Sequence, residues 1–365
     1  MIVPYVDLAG QQQSIRAQIL DAVGRVLDHG QFILGPEVAE LEARLQERLG
    51  AAHVVAVNSG TDALAIALRV RGIGPGDEVI TPSHSFVATA SAIALLGATP
   101  VFAEVDEETM LLDPAALRRL VNGRTRAVLP VHLNGFACDL DPIRSFCADH
   151  GLALIEDCAQ AFGTRYKNAH VGTTDIGCFS LHPLKPFAAC GDGGFITFSS
   201  TEDAAEARLL RNIGLVDRDH CAAISGNSRL DAMQAAILLV KLRYVDAWIE
   251  ERRANASAYR DALEGALRLP PPEGDSFATY SAFVVRHERR DALVQRLRDS
   301  GVDAKIHYPL AIHQQEAFER WARPLPITER VVSQIVSLPV SAQLAPEQRE
   351  HVVRSVRRAV ETLTP

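Results

Sequence analysis

A single lysine, Lys185, stands between two prolines in "SLHPLKPFAACGDGG" (180–194), followed by apolar and small residues up to a glycine-rich turn. Lysine is ordinarily a solvated cation. An apolar pocket or a neighbouring cation lowers its pKa, and the neutral amine is a nucleophile. Upstream, "ALIEDCAQAFGTRY" (153–166) puts Glu156 and Asp157 where an apolar strand ends. Carboxylates at that place face the ligand crevice of an open α/β sheet, and a buried one needs a partner such as a ring N–H⁺. A loop salt bridge or a helix cap would use the same residues.

The third element is "VNSGTDALAIAL" (57–68), a strand that ends in a small-residue turn and opens a helix. Free amides of Gly60, Thr61 and Asp62, with the Ser59 and Thr61 hydroxyls, would cradle a phosphate at the helix's positive end. An ordinary N-cap is the simpler use of the same residues. No Walker-type Gly-Lys-Ser/Thr follows. Asp157 precedes Lys185 by 28 residues. A Schiff-base lysine, a carboxylate for a pyridinium nitrogen and a phosphate cradle are together what pyridoxal 5′-phosphate (PLP) requires.

Those residues need a frame. Helices are predicted at 14–29 and 36–49, then strands at 53–57, 78–82, 100–105, 126–131 and 152–156, alternating with helices near 61–71, 86–96, 114–121 and 139–150. Such alternation means a largely parallel sheet covered on both faces. Segments 177–182 and 193–200 read as two strands across a loop that carries Lys185. One long helix is predicted over 229–263, as a bridge between a large domain (1–245) and a small one (246–365). The small domain reads as strand, helix, strand at "DAKIHYP", helix, strand and a final helix with Pro346 in its first turn.

Bulk properties narrow the function. The 365 residues carry a formal charge of -8, which argues against a nucleic-acid partner. The six cysteines show no zinc spacing and are expected as reduced, mostly buried thiols. No apolar run is long enough for a bilayer, and the N-terminus does not read as a signal peptide, so a cytoplasmic protein is expected.

"NSGTDAL", "PSHSFVATASAI", "EDCAQAFGT", "SLHPLKPFAACGDGG" and "GNSRLDAMQAAIL" occur here in the order and spacing of a known family. The opening "VDLAGQQQ…GQFILGPEVAELEARL" and the late "HYPLAIHQQEAF" fit it too. Across nearly its whole length the chain resembles the DegT/DnrJ/EryC1/StrS sugar aminotransferases. The resemblance implies an α/β enzyme of PLP-dependent transferase fold type I (aspartate aminotransferase-like), with a large mixed-sheet domain and a small C-terminal α+β domain. It also implies a homodimer with shared active sites.

By the same resemblance Lys185 is the lysine that holds the cofactor and shuttles a proton, and Asp157 the partner of the pyridine nitrogen. Gln160 lies near the phenolic oxygen, Phe86 stacks on the ring, and Gly60, Thr61 and Ser180 hold the phosphate. Asn227 reaches the phosphate of the neighbouring subunit. Where members often carry an aromatic two positions after the serine, this chain has Leu181 and His182; His182 is either a substrate contact or a core histidine. His307 and Tyr308 resemble a pair found in members that aminate C3 of a nucleotide-linked keto sugar. Arg218 would reach the partner's nucleotide phosphates, and His220 reads as a solvated loop residue.

The expected reaction is transfer of an amino group from L-glutamate to a nucleotide-diphosphate keto-hexose, C3 rather than C4. An aminocyclitol or amino-shikimate aminotransferase would share the cofactor shell. A dehydratase of this fold would replace the lysine by histidine. A non-catalytic regulator would have no use for the intact lysine, aspartate and cradle.

Overall fold

The computed structural model describes residues 1–363. Its large unit is built on a seven-stranded sheet in the order β1-β9-β8-β5-β4-β2-β3. The strands are β1 (His53–Val57), β2 (Glu78–Pro82), β3 (Thr99–Ala103), β4 (Thr125–Val128), β5 (Ala153–Asp157), β8 (Ile176–Ser180) and β9 (Gly194–Phe198). Two-residue strands β6 (Arg165–Tyr166), β7 (Ala169–His170) and β10 (Ser276–Phe277) form a side ladder. Only β9 runs against the other six, pairing antiparallel with β1 and with β8. The carboxyl ends of β1, β5 and β8 therefore meet along one edge, where ligands of open α/β sheets bind.

Helices α1 (Leu8–Gln13), α2 (Arg16–His29), α3 (Pro36–Leu49), α4 (Gly60–Val70), α5 (Ala88–Leu95), α6 (Pro114–Leu117), α7 (Leu140–His150), α8 (Thr201–Arg211) and α9 (Ala232–Leu242) cover it. The predicted β-α alternation and the β8–β9 pair across the lysine loop are present. The expected helix over 14–29 begins two residues later and is preceded by α1, capped by Asp7, whose carboxylate accepts the Gly10 amide at 2.8 Å.

The single helix expected over 229–263 is two: α9 ends at Leu242, and α10 (Val245–Leu263) starts after Arg243 and Tyr244. The halves answer to different neighbours. Ala236, Ile237 and Val240 of α9 pack with Ile19, Ala22 and Val26 of α2, whereas Ile249, Ala256 and Tyr259 of α10 join the main core. One straight axis cannot serve both surfaces. Helix α8 had no predicted counterpart, although Ser200 caps it by accepting the Asp203 amide at 3.2 Å.

The C-terminal unit is α+β: β11 (Phe283–Arg286) pairs antiparallel with β12 (Ile335–Leu338) beside α11 (Arg290–Asp299), α12 (Pro326–Gln334) and α13 (Pro346–Glu361). The strand expected at 303–309 forms only a single bridge, Lys305 to Ser337, and Tyr308 turns into the left-handed region at φ 62°. One hydrophobic cluster runs from Val54, Val79 and Ile155 of the large sheet to Phe283, Val336 and Val356 here. Each such fully buried aliphatic side chain contributes about 1.5–3 kcal/mol. Four cysteines are buried, Cys190 and Cys221 are exposed, and all six are free.

An ion pair fastens the outer helices to β1. The Glu42 carboxylate of α3 accepts the Ala56 amide at 2.9 Å and pairs with Arg211 of α8, whose Nη1 also donates to the Ala56 carbonyl at 2.9 Å. Both side chains are about nine-tenths buried. Arg211→Ala leaves Glu42 charged and unpaired, and is expected to lower unfolding stability by about 3 kcal/mol in urea titrations. A loss under about 1 kcal/mol, the worth of an exposed pair, would remove the pair from this role.

Candidate active site

Where β1, β5 and β8 end, the turn into α4 and the 181–193 loop enclose a cavity of about 470 Å³, of a size to hold a cofactor with a small substrate. Gly60, Thr61, Phe86, Asp157, Gln160, Ser180, His182, Lys185, His307 and Tyr308 all line it. Arg218 and Asn227 do not; both are exposed on the segment between α8 and α9. His220 is exposed there too.

Lys185 sits in a loop pinned at its neck: Leu181 donates to the Gly193 carbonyl at 2.8 Å, Ala189 to Leu181 at 2.7 Å, and Lys185 itself to His182 at 2.9 Å. Phe187, Ala188 and Ala189, which follow it in the loop, are buried. Burial pushes the ammonium down to about 8, against the opposing pull of the Asp157 carboxylate. The amine is dry enough to lose its proton and remains open to the cavity, which is the combination a nucleophile needs.

Asp157 ends β5 and is 3% exposed. Its carboxylate accepts the Thr89 hydroxyl at 2.8 Å and the Ala159 amide at 3.1 Å. Burial pushes its pKa up, while those two donors, Lys185 and His132 pull it back. A cation held against it would favour the charged form.

Glu156, expected in the same crevice, is not there. Successive residues of a strand point to opposite faces. The Glu156 side chain is fully buried behind the sheet, 2.9 Å from His132 Nε2, and accepts the Gly172 amide at 2.8 Å. His132, Glu156 and Cys158 lie close enough for a metal, but His132 Nδ1 accepts the Cys138 amide at 3.0 Å while Nε2 meets Glu156, so both ring nitrogens are engaged within the protein.

The turn before α4 is both a cap and a cradle. Ser59 Oγ accepts the Asp62 amide at 3.1 Å, and the amides of Gly60 and Thr61 have no acceptor among the described residues. A Cβ on Gly60 would lie 2.7 Å from the Ser180 Cβ, and one on Gly194 would lie 2.5 Å from the Ser59 carbonyl oxygen. Both glycines let β8, β9 and the turn close around the free amides. Two amides, the Thr61 and Ser180 hydroxyls and a helix N-terminus make a donor set suited to a phosphate.

Gln160 joins the two walls. Its Oε1 accepts the Asn134 amide at 2.8 Å, and its Nε2 donates to the Tyr308 hydroxyl at 2.8 Å. Asn134 holds φ 59° to present that amide. Phe86 is 52% exposed, its ring 5.9 Å from that of Tyr308. Such an exposed aromatic is suited to covering a flat ring. Burial pushes the Tyr308 phenol up to about 12 and the His307 imidazole down to about 4, so both are neutral near pH 7. His307 Nδ1 is fixed 2.8 Å from Ser337 Oγ. His182 is exposed at the cavity wall, its Nδ1 accepting the Leu184 amide at 3.3 Å, so the core-histidine reading falls. Thr89, Asn134 and Tyr5 were not legible as site residues; each meets the site across 60 residues or more of chain or lacks a local motif.

The profile of the DegT/DnrJ/EryC1/StrS aminotransferase family matches residues 13–357. The chain belongs to this family. A dTDP-3-amino-3,4,6-trideoxy-alpha-D-glucose transaminase from Streptomyces venezuelae is 40% identical, over 98% of this chain and 96% of its own. A UDP-N-acetyl-3-dehydro-alpha-D-glucosamine 3-aminotransferase from Acidithiobacillus ferrooxidans is 39% identical, over 98% of each. The crystal structure of S. venezuelae DesV in complex with a ketimine intermediate superposes with a TM-score of 0.97 at 40% identity, covering 99% of both chains. This member of the family thus has the fold-type I architecture of PLP-dependent transferases. Among the described residues no helix is long and apolar enough to cross a membrane.

The depressed lysine gives this site a pH signature. Condensation of an added aldehyde, with PLP as the probe, at Lys185 needs the neutral amine, so its rate, followed by absorbance, is expected to rise with pH through a midpoint near 8. A midpoint near the ordinary 10.5 would show that burial does not tune Lys185.

Proposed function

We propose that this chain is a PLP-dependent aminotransferase that moves an amino group from L-glutamate to C3 of a nucleotide-diphosphate keto-hexose. The observation that carries the reading is the meeting of Lys185, Asp157 and the Gly60–Thr61 amides in one cavity. The reaction and the sugar position are supported by relatives named as 3-amino-sugar transaminases. We further assign 1–245 as the cofactor-binding domain and 246–365 as the small one, with the break between α9 and α10 as their joint.

When bound, PLP supplies an aldehyde that captures amines and a ring that accepts the electron pair left when the substrate carbon loses its proton. The rest is the work of this chain's side chains. The Gly60 and Thr61 amides and the Thr61 and Ser180 hydroxyls hold the phosphate. The Asp157 carboxylate, oriented by Thr89, keeps a proton on the ring nitrogen, because a buried anion raises the pKa of the cation it faces. Phe86 covers one ring face, and Gln160 orients the phenolic oxygen. Lys185 Nζ takes a proton from the donor's carbon and later returns one, a task suited to an amine with a pKa near 8. His182, His307 and Tyr308 contact the sugar, the last two as neutral hydrogen-bonding groups.

Asn227 and Arg218 complete the neighbouring subunit's site in a homodimer. Ile213, Val216 and Ile224, exposed on the same segment, support an interface there. The purified protein is expected to be yellow, to bleach on adding L-glutamate, and to regain colour fastest with 3-keto rather than 4-keto nucleotide sugars. A Lys185→Ala variant that still aminated sugar would end the assignment. Mixing Lys185→Ala with Asn227→Asp protein should restore part of the activity by pairing one intact site. Confirmed heterodimers without any recovery would exclude a shared site.

A further inference from the structure

Arg252 of α10 is a buried cation with no anion to answer it. It is 5% exposed, its Nη1 reaches the Tyr280 carbonyl at a long 3.4 Å, and its Nε is buried without a hydrogen-bond partner among the described residues. Burial pushes the guanidinium down to about 10, and the one ionisable group that opposes this is the Tyr5 phenol. Burial in turn pushes the Tyr5 phenol up, so it stays neutral and cannot serve as counter-ion. Tyr5 Oη is itself buried and unpartnered: it comes near Ser337, but that hydroxyl is already engaged by His307. Burying a charge is costly unless an opposite charge meets it.

The place of this pair in the fold suggests what meets it. Arg252 borders a small cavity of about 10 Å³, room for about one water. Tyr5, Leu184 and Ser281 line both this cavity and the main one, so the partition is one side chain thick. Leu184, the neighbour of Lys185, is 49% exposed, so about half of its surface is not packed against protein. Lys185 is the only lysine or arginine among the described residues that lines the main cavity, and Asp157 and Asp192 line it as acids. An amino-acid donor brings carboxylates that the Lys185 amine cannot hold while it handles protons.

We infer that Arg252, together with the Tyr5 hydroxyl, receives a carboxylate of the amino donor when Leu184 turns aside. The inference rests on the aminotransferase reading for the donor's identity, but the site itself is defined as a carboxylate site. A planar guanidinium with an idle Nε–H can form charge-assisted bonds to such a group, and Tyr5 Oη–H adds a neutral one. Arg252 is a specificity residue: it discriminates the anionic donor and takes no part in amination of the sugar.

The test uses the yellow holoprotein and glutarate, a dicarboxylate with no amine to react, with binding followed by calorimetry. The wild type should bind it, Arg252→Met should bind about 10- to 100-fold more weakly, and Tyr5→Phe about 2- to 10-fold more weakly. Arg252→Lys, which keeps the charge but loses the fork, should fall between wild type and Arg252→Met. In single turnovers kcat/KM for bleaching by glutamate should drop with glutarate affinity in Arg252→Met, while the amine-loaded protein keeps its rate with the keto sugar. Undiminished glutarate binding in Arg252→Met, or no binding by the wild type, overturns the site. So does an equal loss in both half-reactions, which marks a structural role. If Arg252→Met fails to fold, the Arg252→Lys and Tyr5→Phe affinities decide by the same criterion. Glutarate binding that follows the predicted order in a protein aminating no keto sugar leaves this site standing and removes the sugar reading instead.

Discussion

An amine is nucleophilic only after it sheds a proton, and near neutral pH a lysine does so only where water is scarce. Lys185 must therefore be wrapped without being sealed. The 181–193 loop does this by closing its neck with backbone hydrogen bonds and burying Phe187, Ala188 and Ala189, which follow the lysine, while the amine borders the cavity. The constraint reaches outward. The loop can close only because β8 and β9 pair antiparallel beneath it, from Ile176↔Phe198 to Ser180↔Gly194. Asp157 faces Lys185 because β5 pairs in parallel with β8, setting Asp157 beside Cys178. The opposite charge of Asp157 moderates the depression of the lysine, so the sheet register tunes the amine.

The same strand shows how pleating divides labour. Glu156 and Asp157 are neighbours, chemically alike, at the end of one apolar run. Asp157 turns into the cavity, where Thr89 and Ala159 orient it and a ligand cation can meet it. Glu156 turns behind the sheet, where His132, the Gly172 amide and the 132–138 turn absorb it into the framework. A fully buried carboxylate is tolerated there because its partners arrive with the fold. One residue is a tool and the other a bracket.

This contrast explains what could be read from the chain and what could not. The β-α alternation, the lysine loop between two strands, and the Ser59–Asp62 turn are local patterns of period and punctuation, and they survive folding. The two carboxylates looked equivalent because the face a strand residue takes depends on sheet contacts. The α9–α10 break was invisible because no glycine or proline marks it; the division of partners between α2 and the main core makes it. The α8 helix has no counterpart in the sequence reading although Ser200 followed by Glu202 and Asp203 is an N-terminal signature. Asn134, Tyr5 and Arg252 had no local signal, and Thr89 lay inside the quoted "PSHSFVATASAI" without its role showing, because each acts on a partner that only the tertiary fold brings near. At Tyr308 a strand-like sequence gave way to a left-handed turn, which places its hydroxyl on Gln160.

On the proposed function, charge would tie the site to a second subunit. On the proposed function the second substrate carries a diphosphate, yet among the described residues Lys185 is the only lysine or arginine lining the cavity, where Asp157 and Asp192 oppose an incoming anion. Backbone amides at α4 can hold one phosphate, and on the proposed function that one belongs to the cofactor. The cations that a nucleotide needs must come from elsewhere. Arg218 and Asn227 extend from a segment that also holds Ile213, Val216 and Ile224 in water. Large apolar side chains held in water are poorly served by solvent and well served by a protein surface. Covering them with a second copy would carry along the Arg218 guanidinium, flanked by Asp217 and Asp219, and the neutral Asn227 amide as donors for that anion. The hydrophobic gain of association and the electrostatic demand of the substrate then act on one segment, so a subunit alone would hold the cofactor chemistry without the means to keep the nucleotide.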